Sequence, residues 1–206
     1  MIQYSKDYKK EDTIYWAIHH TGGLGNNNYA STRMLNANTI NTAHKARWNF
    51  QDLLTGYFGG YNFYIDYWGN LTQFRAIGSE TAAQRGYNRN GQVISICFAG
   101  NFNKLNGIMI DTPSAEQIAA FRKLTSELPK VKFQNIKPHW FFGQTECYGL
   151  GLSENWGRSL VPELDERGNF QAILNSIQAQ INQIMRLLQT LKLGGSLLKC
   201  EDSARD

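Results

Sequence analysis

A run of seven apolar or small residues, VISICFA at positions 93–99, limits the possible folds of this chain more than any other feature. A strand that is apolar on both faces must be covered on both faces, as happens in the centre of a sheet between layers of helices. A second apolar run, IYWAI at positions 14–18, predicts another buried strand that ends at His19. We therefore predict a domain built on a central β-sheet.

Other segments alternate between helical and extended patterns. Residues 39–54 have a helical apolar period with Thr39 as the predicted cap. Residues 61–67 predict a strand followed by a hairpin turn, and residues 114–128 carry apolar side chains along one side of a helix that a proline ends. Strands that alternate with helices predict the α/β class.

The C-terminal part of the chain has a different pattern. Its apolar residues are spaced alternately four and three positions apart, which is the heptad pattern of a helix with an apolar seam: Phe170, Leu174, Ile177, Ile181, Ile184, Leu188 and Leu191. We therefore expect a domain at 1–162 and an amphipathic helix with a polar tail at 163–206. Self-association of this helix and packing against the domain are both open alternatives.

Composition limits the classes of function. The chain is 42% hydrophobic, 13% aromatic and 18% charged, which is typical of a folded protein. Residues 1–162 contain 16 Lys and Arg against 11 Asp and Glu, a small positive excess that suits an anionic polymer without requiring one. No apolar stretch has the length of a membrane span or of a secretory signal, so we predict synthesis in the cytoplasm without stable membrane insertion.

Three residues form a candidate metal site. His139 and Cys147 are separated by seven residues, and such a pair alone is weak evidence for zinc. His19 adds a third candidate, because a side chain at the end of a buried strand can point off the sheet into a cleft. Two histidines and one cysteine are a set that a catalytic zinc can use while water keeps the fourth position. The alternative is that the histidines are ordinary, partly buried residues near an unrelated thiol.

Other polar or reactive side chains are interpreted as structural. We interpret His44, inside the first predicted helix, as a packing residue or a hydrogen-bond partner, and Cys97 as a small apolar side chain of its strand. Asp52 and Asp66 are interpreted as solvated charges of a turn or helix. The three cysteines of the chain are odd in number and widely spaced, which argues against a disulfide framework.

Six segments occur in an order that resembles one known family: IYWAIHHTG, GGYNFYIDYWGN, AQRGYNRN, ISICFAGNF, PSAEQIAAFRKL and KPHWFFGQTECYG. Together they resemble the zinc-dependent N-acetylmuramoyl-L-alanine amidases, a family that includes amidase-type phage lysozymes and peptidoglycan recognition proteins. The resemblance runs from about residue 14 to about residue 156. It implies a mixed central β-sheet flanked by helices, with zinc in a groove on one face.

The resemblance also implies roles for individual residues. His19, His139 and Cys147 match the ligands of one zinc ion per chain. Tyr61 matches the tyrosine that faces the zinc-bound water or the carbonyl oxygen, and Thr145 matches the residue that assists there.

Two more residues lie in segments that line the substrate groove in the family. These are Arg75 and Asn88, and we predict that both bind substrate. The chain departs from the family where Tyr148 follows the cysteine in place of the usual proline, which removes no metal-binding atom. A histidine that usually precedes the RGYN motif is absent here, which puts one substrate contact in doubt.

The resemblance implies a peptidoglycan hydrolase that cleaves the amide bond between N-acetylmuramic acid and L-alanine by a zinc-activated water. We predict a bacteriolytic endolysin of a phage or prophage that acts on the cell wall after release, with no nucleic-acid partner and with residues 170–191 as a possible oligomerisation segment. Family members without the cysteine ligand bind peptidoglycan without cutting it, so non-catalytic recognition is the main alternative. A regulator of another protein and a domain with a structural zinc are further alternatives.

Overall fold

A computed structural model describes residues 1–23, 27–83 and 90–161, together with positions 181 and 184. Its strands and longer helices, in chain order, are β1 (Tyr15–His20), α1 (Ala37–Trp48), β2 (Phe63–Ile65), β3 (Leu71–Gln73), β4 (Val93–Phe98), β5 (Lys104–Leu105), β6 (Ile108–Met109), α2 (Ala115–Glu127), β7 (Ile136–Pro138) and α3 (Trp156–Ser159).

The chain divides into two units, Met1–Pro162 and Glu163–Asp206, and all of these elements belong to the first. Most of the heptad-patterned residues lie outside the described part of the chain. Ile181 and Ile184 are described, and both are helical and exposed. The predicted role of this segment in oligomerisation stays a prediction.

Five strands form one mixed sheet in the order β3-β2-β4-β1-β7. Strand β4 pairs in parallel with both β1 and β2, β7 pairs in parallel with β1, and β3 runs antiparallel to β2. All six residues of β4 are buried, which confirms that this apolar run is a central strand. The predicted mixed sheet flanked by helices is confirmed.

Helices cover both faces of this sheet. On one face, Phe121 and Leu124 of α2 belong to the same apolar cluster as Ile18 of β1. On the other face, Ile40 of α1 packs in a cluster with Cys97 of β4. Because side chains alternate along a strand, successive residues at the end of β1 point into different layers.

Helix α2 is attached to the sheet by one buried polar side chain. Ser114 caps the helix by accepting the N–H of Gln117 at 3.0 Å, and the Gln117 side chain accepts the N–H of Ser114 at 3.0 Å. The amide of Gln117 also donates to the carbonyls of Ile65, at 3.2 Å, and Ala99, at 2.9 Å. This helix and its end before Pro129 agree with the prediction.

The boundaries of α1 differ from the prediction over residues 39–54. The cap is Asn36 rather than Thr39, because the Asn36 Oδ1 accepts the backbone N–H of Thr39 at 2.9 Å. The helix ends at Trp48, and the next residue, Asn49, has a φ of 47° that stops further helical hydrogen bonding. Within the described part of the chain, no helix has the length and apolar character needed to span a membrane.

Asp52 and Asp66, which the sequence predicted to be solvated, are both buried. Each carboxylate accepts hydrogen bonds that stabilise a turn. Asp52 accepts the backbone N–H groups of Thr55, at 2.9 Å, and Ala76, at 3.3 Å. Asp66 accepts the backbone N–H of Asn70 at 2.8 Å in the hairpin between β2 and β3. The interpretation as solvated charges is wrong, because backbone amides replace water around each carboxylate.

Candidate metal centre

Two neighbouring parallel strands end side by side at one edge of the sheet. Ile18 of β1 pairs with Pro138 of β7, so the residues that follow, His19 and His139, are neighbours. His139 begins a short 3₁₀ turn, His139–Phe141. Because the carboxyl ends of parallel strands meet at one edge of a sheet, the two imidazole rings lie with their centroids 4.3 Å apart.

Cys147 reaches this edge from the loop after the 3₁₀ turn. Its carbonyl accepts the N–H of Trp140 at 2.8 Å, and its own N–H donates to the hydroxyl of Thr145 at 3.2 Å. Its Sγ accepts the backbone N–H of His20 at 3.3 Å and lies 3.7 Å from Nδ1 of His19. These contacts hold the thiol beside the two imidazoles.

The donor atoms of His19, His139 and Cys147 all lie within 4.8 Å of one another. The 3.7 Å between the cysteine sulfur and the histidine nitrogen is close to the roughly 3.5 Å expected across a tetrahedral zinc site with Zn–S and Zn–N bonds of about 2.3 and 2.0 Å. Two imidazoles and one thiol therefore fit Zn²⁺ in both chemistry and spacing.

Burial determines the charge of these donor groups. It lowers the pKa of His19 well below its ordinary value, with the neighbouring His139 and His20 adding to the effect, and it lowers the pKa of His139 to about 4. It raises the pKa of Cys147 to about 12, which the hydrogen bond from the His20 backbone partly offsets. Neutral imidazoles are the metal-binding form, whereas the thiol must lose its proton, so metal binding at neutral pH releases a proton.

Tyr61 lies against the predicted ligands. Its ring centroid is 5.1 Å from that of His19, and its hydroxyl lies near enough to the thiols of Cys97 and Cys147 for both to affect its pKa. Cys97 is the β4 residue that pairs with His19, so both side chains face the same layer. Burial, Cys97 and Cys147 raise the pKa of Tyr61 well above its ordinary value, so the hydroxyl keeps its proton at neutral pH.

Comparison with protein families agrees with this geometry. A family model described as N-acetylmuramoyl-L-alanine amidase matches residues 10–149, which span all three predicted ligands and Tyr61. The chain belongs to the N-acetylmuramoyl-L-alanine amidase family. The resemblance carried by the six sequence segments is thereby confirmed.

Solved structures share the fold of this amidase-family chain. N-acetylmuramoyl-L-alanine amidase LysC from Clostridium intestinale URNW is 21% identical with a TM-score of 0.52, and the match covers 77% of this chain and 92% of LysC. The Ph2119 endolysin from Thermus scotoductus MAT2119 bacteriophage Ph2119 is 17% identical with a TM-score of 0.51, covering 72% and 84%. Drosophila peptidoglycan recognition protein SD is 18% identical with a TM-score of 0.50, covering 74% and 80%. No curated protein matches the chain.

Arg75, one of the two residues predicted to bind substrate, is not part of the cluster described for this amidase-family chain. Arg75 is only 1% exposed, and its guanidinium donates to the carbonyls of Gly59, at 2.7 Å, Glu80, at 3.1 Å, and Phe50. A side chain enclosed in this way has no surface for a substrate, so the predicted direct contact does not fit the structure. Asn88 lies outside the described residues, and its role stays a prediction.

Two histidines near the cluster have other partners. Nδ1 of His44 accepts the backbone N–H of Gly60 at 2.9 Å, and its ring centroid lies 5.6 Å from that of Tyr61. Nδ1 of His20 accepts the backbone N–H of Phe102 at 3.0 Å. The prediction that His44 packs or forms a hydrogen bond is confirmed, but its partner, the backbone of Gly60, could not be predicted from the sequence.

Proposed function

We propose that this amidase-family chain is a zinc-dependent hydrolase that cleaves the amide bond between N-acetylmuramic acid and L-alanine in bacterial peptidoglycan. The observation that carries the proposal is the cluster of His19, His139 and Cys147, with its donor atoms within 4.8 Å of one another. A zinc ion held there would supply a water activated near neutral pH and a positive charge that polarises the scissile carbonyl. Three protein ligands suit a catalytic site, since structural zinc sites use four.

The surrounding residues support such a centre. The backbone N–H of His20, 3.3 Å from Sγ of Cys147, stabilises the thiolate that metal binding requires. Desolvation keeps both imidazoles neutral at pH 7. Two neutral imidazoles and one thiolate leave a divalent cation with one net positive charge, which favours the activation of water.

Tyr61 is the proposed donor to the carbonyl oxygen of the substrate. Its hydroxyl is protonated at neutral pH and lies near the thiols of Cys97 and Cys147. A hydrogen bond to the carbonyl oxygen strengthens as that oxygen gains negative charge in the transition state.

The amine of L-alanine leaves as the amide bond breaks, and it must take up a proton. The described cluster contains no carboxylate that could act as the acid. We therefore propose that this proton comes from the attacking water and that the Tyr61 hydroxyl relays it, giving its own proton to the nitrogen while taking up the water's, so that the tyrosine is again protonated at the end. Thr145, whose hydroxyl accepts the N–H of Cys147 at 3.2 Å, holds the loop on which the thiol is placed and keeps its predicted assisting role as part of this proposal.

The biological setting that we propose is an endolysin of a phage or prophage, made in the cytoplasm and acting on the cell wall after release. A protein of the same fold, from bacteriophage Ph2119, is named an endolysin. We expect that expression inside bacteria leaves cells intact until the membrane is permeabilised, and that lysis follows at once. Lysis without permeabilisation would contradict the release step.

Incubation of the zinc-loaded protein with purified peptidoglycan tests the chemistry. We expect free stem peptides that begin with L-alanine, detected by mass spectrometry, and we expect a chelator to abolish their release and added zinc to restore it. Binding to peptidoglycan without any release would contradict hydrolysis and favour non-catalytic recognition.

A further inference from the structure

The peptide bond between Gly59 and Gly60, just before Tyr61, is held from both sides. Its carbonyl oxygen, on Gly59, accepts the Nε–H of Arg75 at 2.7 Å. Its N–H, on Gly60, donates to Nδ1 of His44 at 2.9 Å. A single peptide unit is thus fixed by a guanidinium on one side and an imidazole on the other, and neither group belongs to the metal cluster.

Close packing around the two glycines restricts this peptide further. A Cβ on Gly59 would lie 2.1 Å from the ring of Phe74, and a Cβ on Gly60 would lie 2.9 Å from the ring of Trp48. The carbonyl of Gly60 accepts the N–H of Ala82 at 3.1 Å, so the next peptide plane is also fixed. Larger residues would have to displace these rings.

Fixed backbone continues on the other side of Tyr61. The N–H of Asn62 donates to the carbonyl of Ser95 at 3.1 Å, and the Asn62 side chain accepts the N–H of Ser95 at 2.9 Å. Ser95 belongs to the buried central strand β4. The Tyr61 ring therefore extends from a segment held at both ends, with the ring of His44 5.6 Å away, centroid to centroid.

We propose that His44 and Arg75 are positioning residues that hold the Gly59–Gly60 peptide so that the Tyr61 hydroxyl is aimed at the reacting carbonyl. This proposal rests on the function proposed above, because it assigns a purpose to the orientation of Tyr61. Arg75 then acts on the reaction through the backbone, and not by touching the substrate.

The protonation state of His44 fits this role. Burial, with the nearby guanidiniums of Arg47 and Arg75, lowers the pKa of His44 to about 4. The imidazole is therefore neutral at pH 7, with Nδ1 as the acceptor and the proton on Nε2. Arg75 supplies the complementary donor from the opposite side, and its guanidinium lies over the ring of Phe50 at 4.1 Å.

Substitutions at position 44 separate the hydrogen bond from simple packing. His44→Asn places an amide oxygen near the position of Nδ1 and keeps an acceptor, whereas His44→Leu removes it. For His44→Leu we expect kcat of stem-peptide release to fall about tenfold with KM and zinc content unchanged, because a small misplacement weakens a bond formed in the transition state. We expect His44→Asn to recover most of this loss. Wild-type kcat in His44→Leu, or equal losses in both variants, would overturn the proposal.

A double variant identifies the route of the effect. If His44 acts through the Tyr61 hydroxyl, His44→Leu should cause no further loss of kcat in a Tyr61→Phe protein. Arg75→Lys, which keeps the charge but loses the planar fork of donors, should likewise cause no further loss of kcat in that background. Multiplied losses would overturn the proposed route for the residue concerned.

One readout does not depend on activity. We call the two hydrogen bonds that His44 and Arg75 make with the Gly59–Gly60 peptide the clamp. Scalar coupling between the Gly60 amide nitrogen and Nδ1 of His44, measured by ¹⁵N NMR, should be present in the wild type. Its absence would overturn the clamp itself. Wild-type protein that shows the coupling but releases no stem peptides would overturn the proposed function, and with it the purpose of the clamp. Active wild type with an unaffected His44→Leu variant would overturn the clamp alone.

Discussion

The hydroxyl of Tyr61 lies near two thiols, and this location determines what it can contribute. Burial raises its pKa most, and the nearby thiols of Cys97 and Cys147 raise it further. A hydroxyl with so high a pKa is a hydrogen-bond donor and a weak acid rather than a base. Since Tyr61 supplies no metal ligand, its contribution to catalysis is separable from metal binding.

Tyr61→Phe should therefore lower kcat about 100-fold, the typical effect of removing one donor to a developing oxyanion, while the protein still binds one zinc per chain. Kinetic assays of stem-peptide release, with elemental analysis of the same samples, measure both quantities. Tyr57→Phe is the matched control, because Tyr57 and Tyr61 pack against the same apolar cluster. The Tyr57→Phe substitution should leave kcat unchanged. Equal kcat in the Tyr61→Phe variant and the wild type would exclude the proposed role.

The lowered pKa values of the four histidines predict how the free energy of unfolding depends on pH. Burial lowers the pKa of His20 to about 3 and those of His44 and His139 to about 4, and it lowers the pKa of His19 well below the ordinary 6.5. Between pH 6.5 and about 4, the unfolded chain therefore binds protons that the folded chain does not bind. The free energy of unfolding of the metal-free protein should fall as the pH decreases through this window, by at most about 1.4 kcal/mol per pH unit for each histidine.

Urea denaturation of metal-free protein at pH 7, 6 and 5 measures this dependence. The His44→Asn variant is a control, since it removes one of the four titrating groups and should reduce the slope. A free energy of unfolding that stays constant from pH 7 to pH 5 would show that the imidazoles are not buried as the structure describes.

The three candidate metal ligands could be predicted from the sequence because the motifs around them resemble those of a known family in residue type and order. The residues that contact these side chains in the folded protein could not be predicted. The apolar pattern around Cys97 shows that the strand is buried, but it does not show which residue of β1 lies opposite. For the same reason a histidine inside a helix, such as His44, shows no partner. The substrate contact predicted for Arg75 came from the family resemblance of its segment, and the backbone carbonyls that bind its guanidinium, in two separate loops, leave no mark on a sequence pattern.

At the level of secondary structure, the site depends on the adjacent carboxyl ends of β1 and β7. Apolar runs and turn signals were sufficient to predict β1, the β2–β3 hairpin, β4 and α2. The order of the strands could not be obtained from periodicity, because a buried strand carries no record of its neighbours. The start of α1 was missed because Thr39 and Asn36 both belong to residue types that cap helices, and only the backbone geometry shows that Asn36 does so.

Gln117 should be the side chain that most strongly attaches α2 to the sheet. Gln117→Met keeps the shape of the side chain but removes the partners of two carbonyls and of the Ser114 N–H. We expect the free energy of unfolding to fall by about 2–4 kcal/mol, because buried polar groups lose their hydrogen bonds. Urea denaturation measures the free energy of unfolding. Lys123→Met, on the exposed side of the same helix, is the control and should change the free energy of unfolding by less than about 0.5 kcal/mol. A similarly small effect of Gln117→Met would contradict this account of the helix contact.

At the scale of the whole molecule, all three predicted metal ligands belong to the unit Met1–Pro162. A chain that ends at Val161 should therefore keep zinc binding. If the heptad pattern of residues 170–191 drives self-association, the full chain should elute as an oligomer and the shortened chain as a monomer, because an apolar seam is buried by a second helix. Light scattering during gel filtration gives the masses, and monomeric mass for both chains would contradict self-association.

The family and the α/β class were accessible from sequence because six short motifs occur in a fixed order over most of the chain. The mixed sheet followed from the resemblance rather than from apolar periodicity. The Gly59–Gly60 clamp was not accessible, since it depends on His44, Arg75 and the loop before Tyr61 meeting in space from separate parts of the chain.

Anomalous X-ray scattering at the zinc absorption edge, from crystals of the zinc-loaded protein, tests the central claim most directly. We predict one peak per chain, at about 2.0–2.3 Å from Nδ1 of His19, a ring nitrogen of His139 and Sγ of Cys147. The peak should be lost or strongly reduced in Cys147→Ala and should persist in Cys97→Ser, which alters the neighbouring thiol. A wild-type peak bound by other residues, or no peak at this edge of the sheet, would contradict the claim that these three residues form the metal centre.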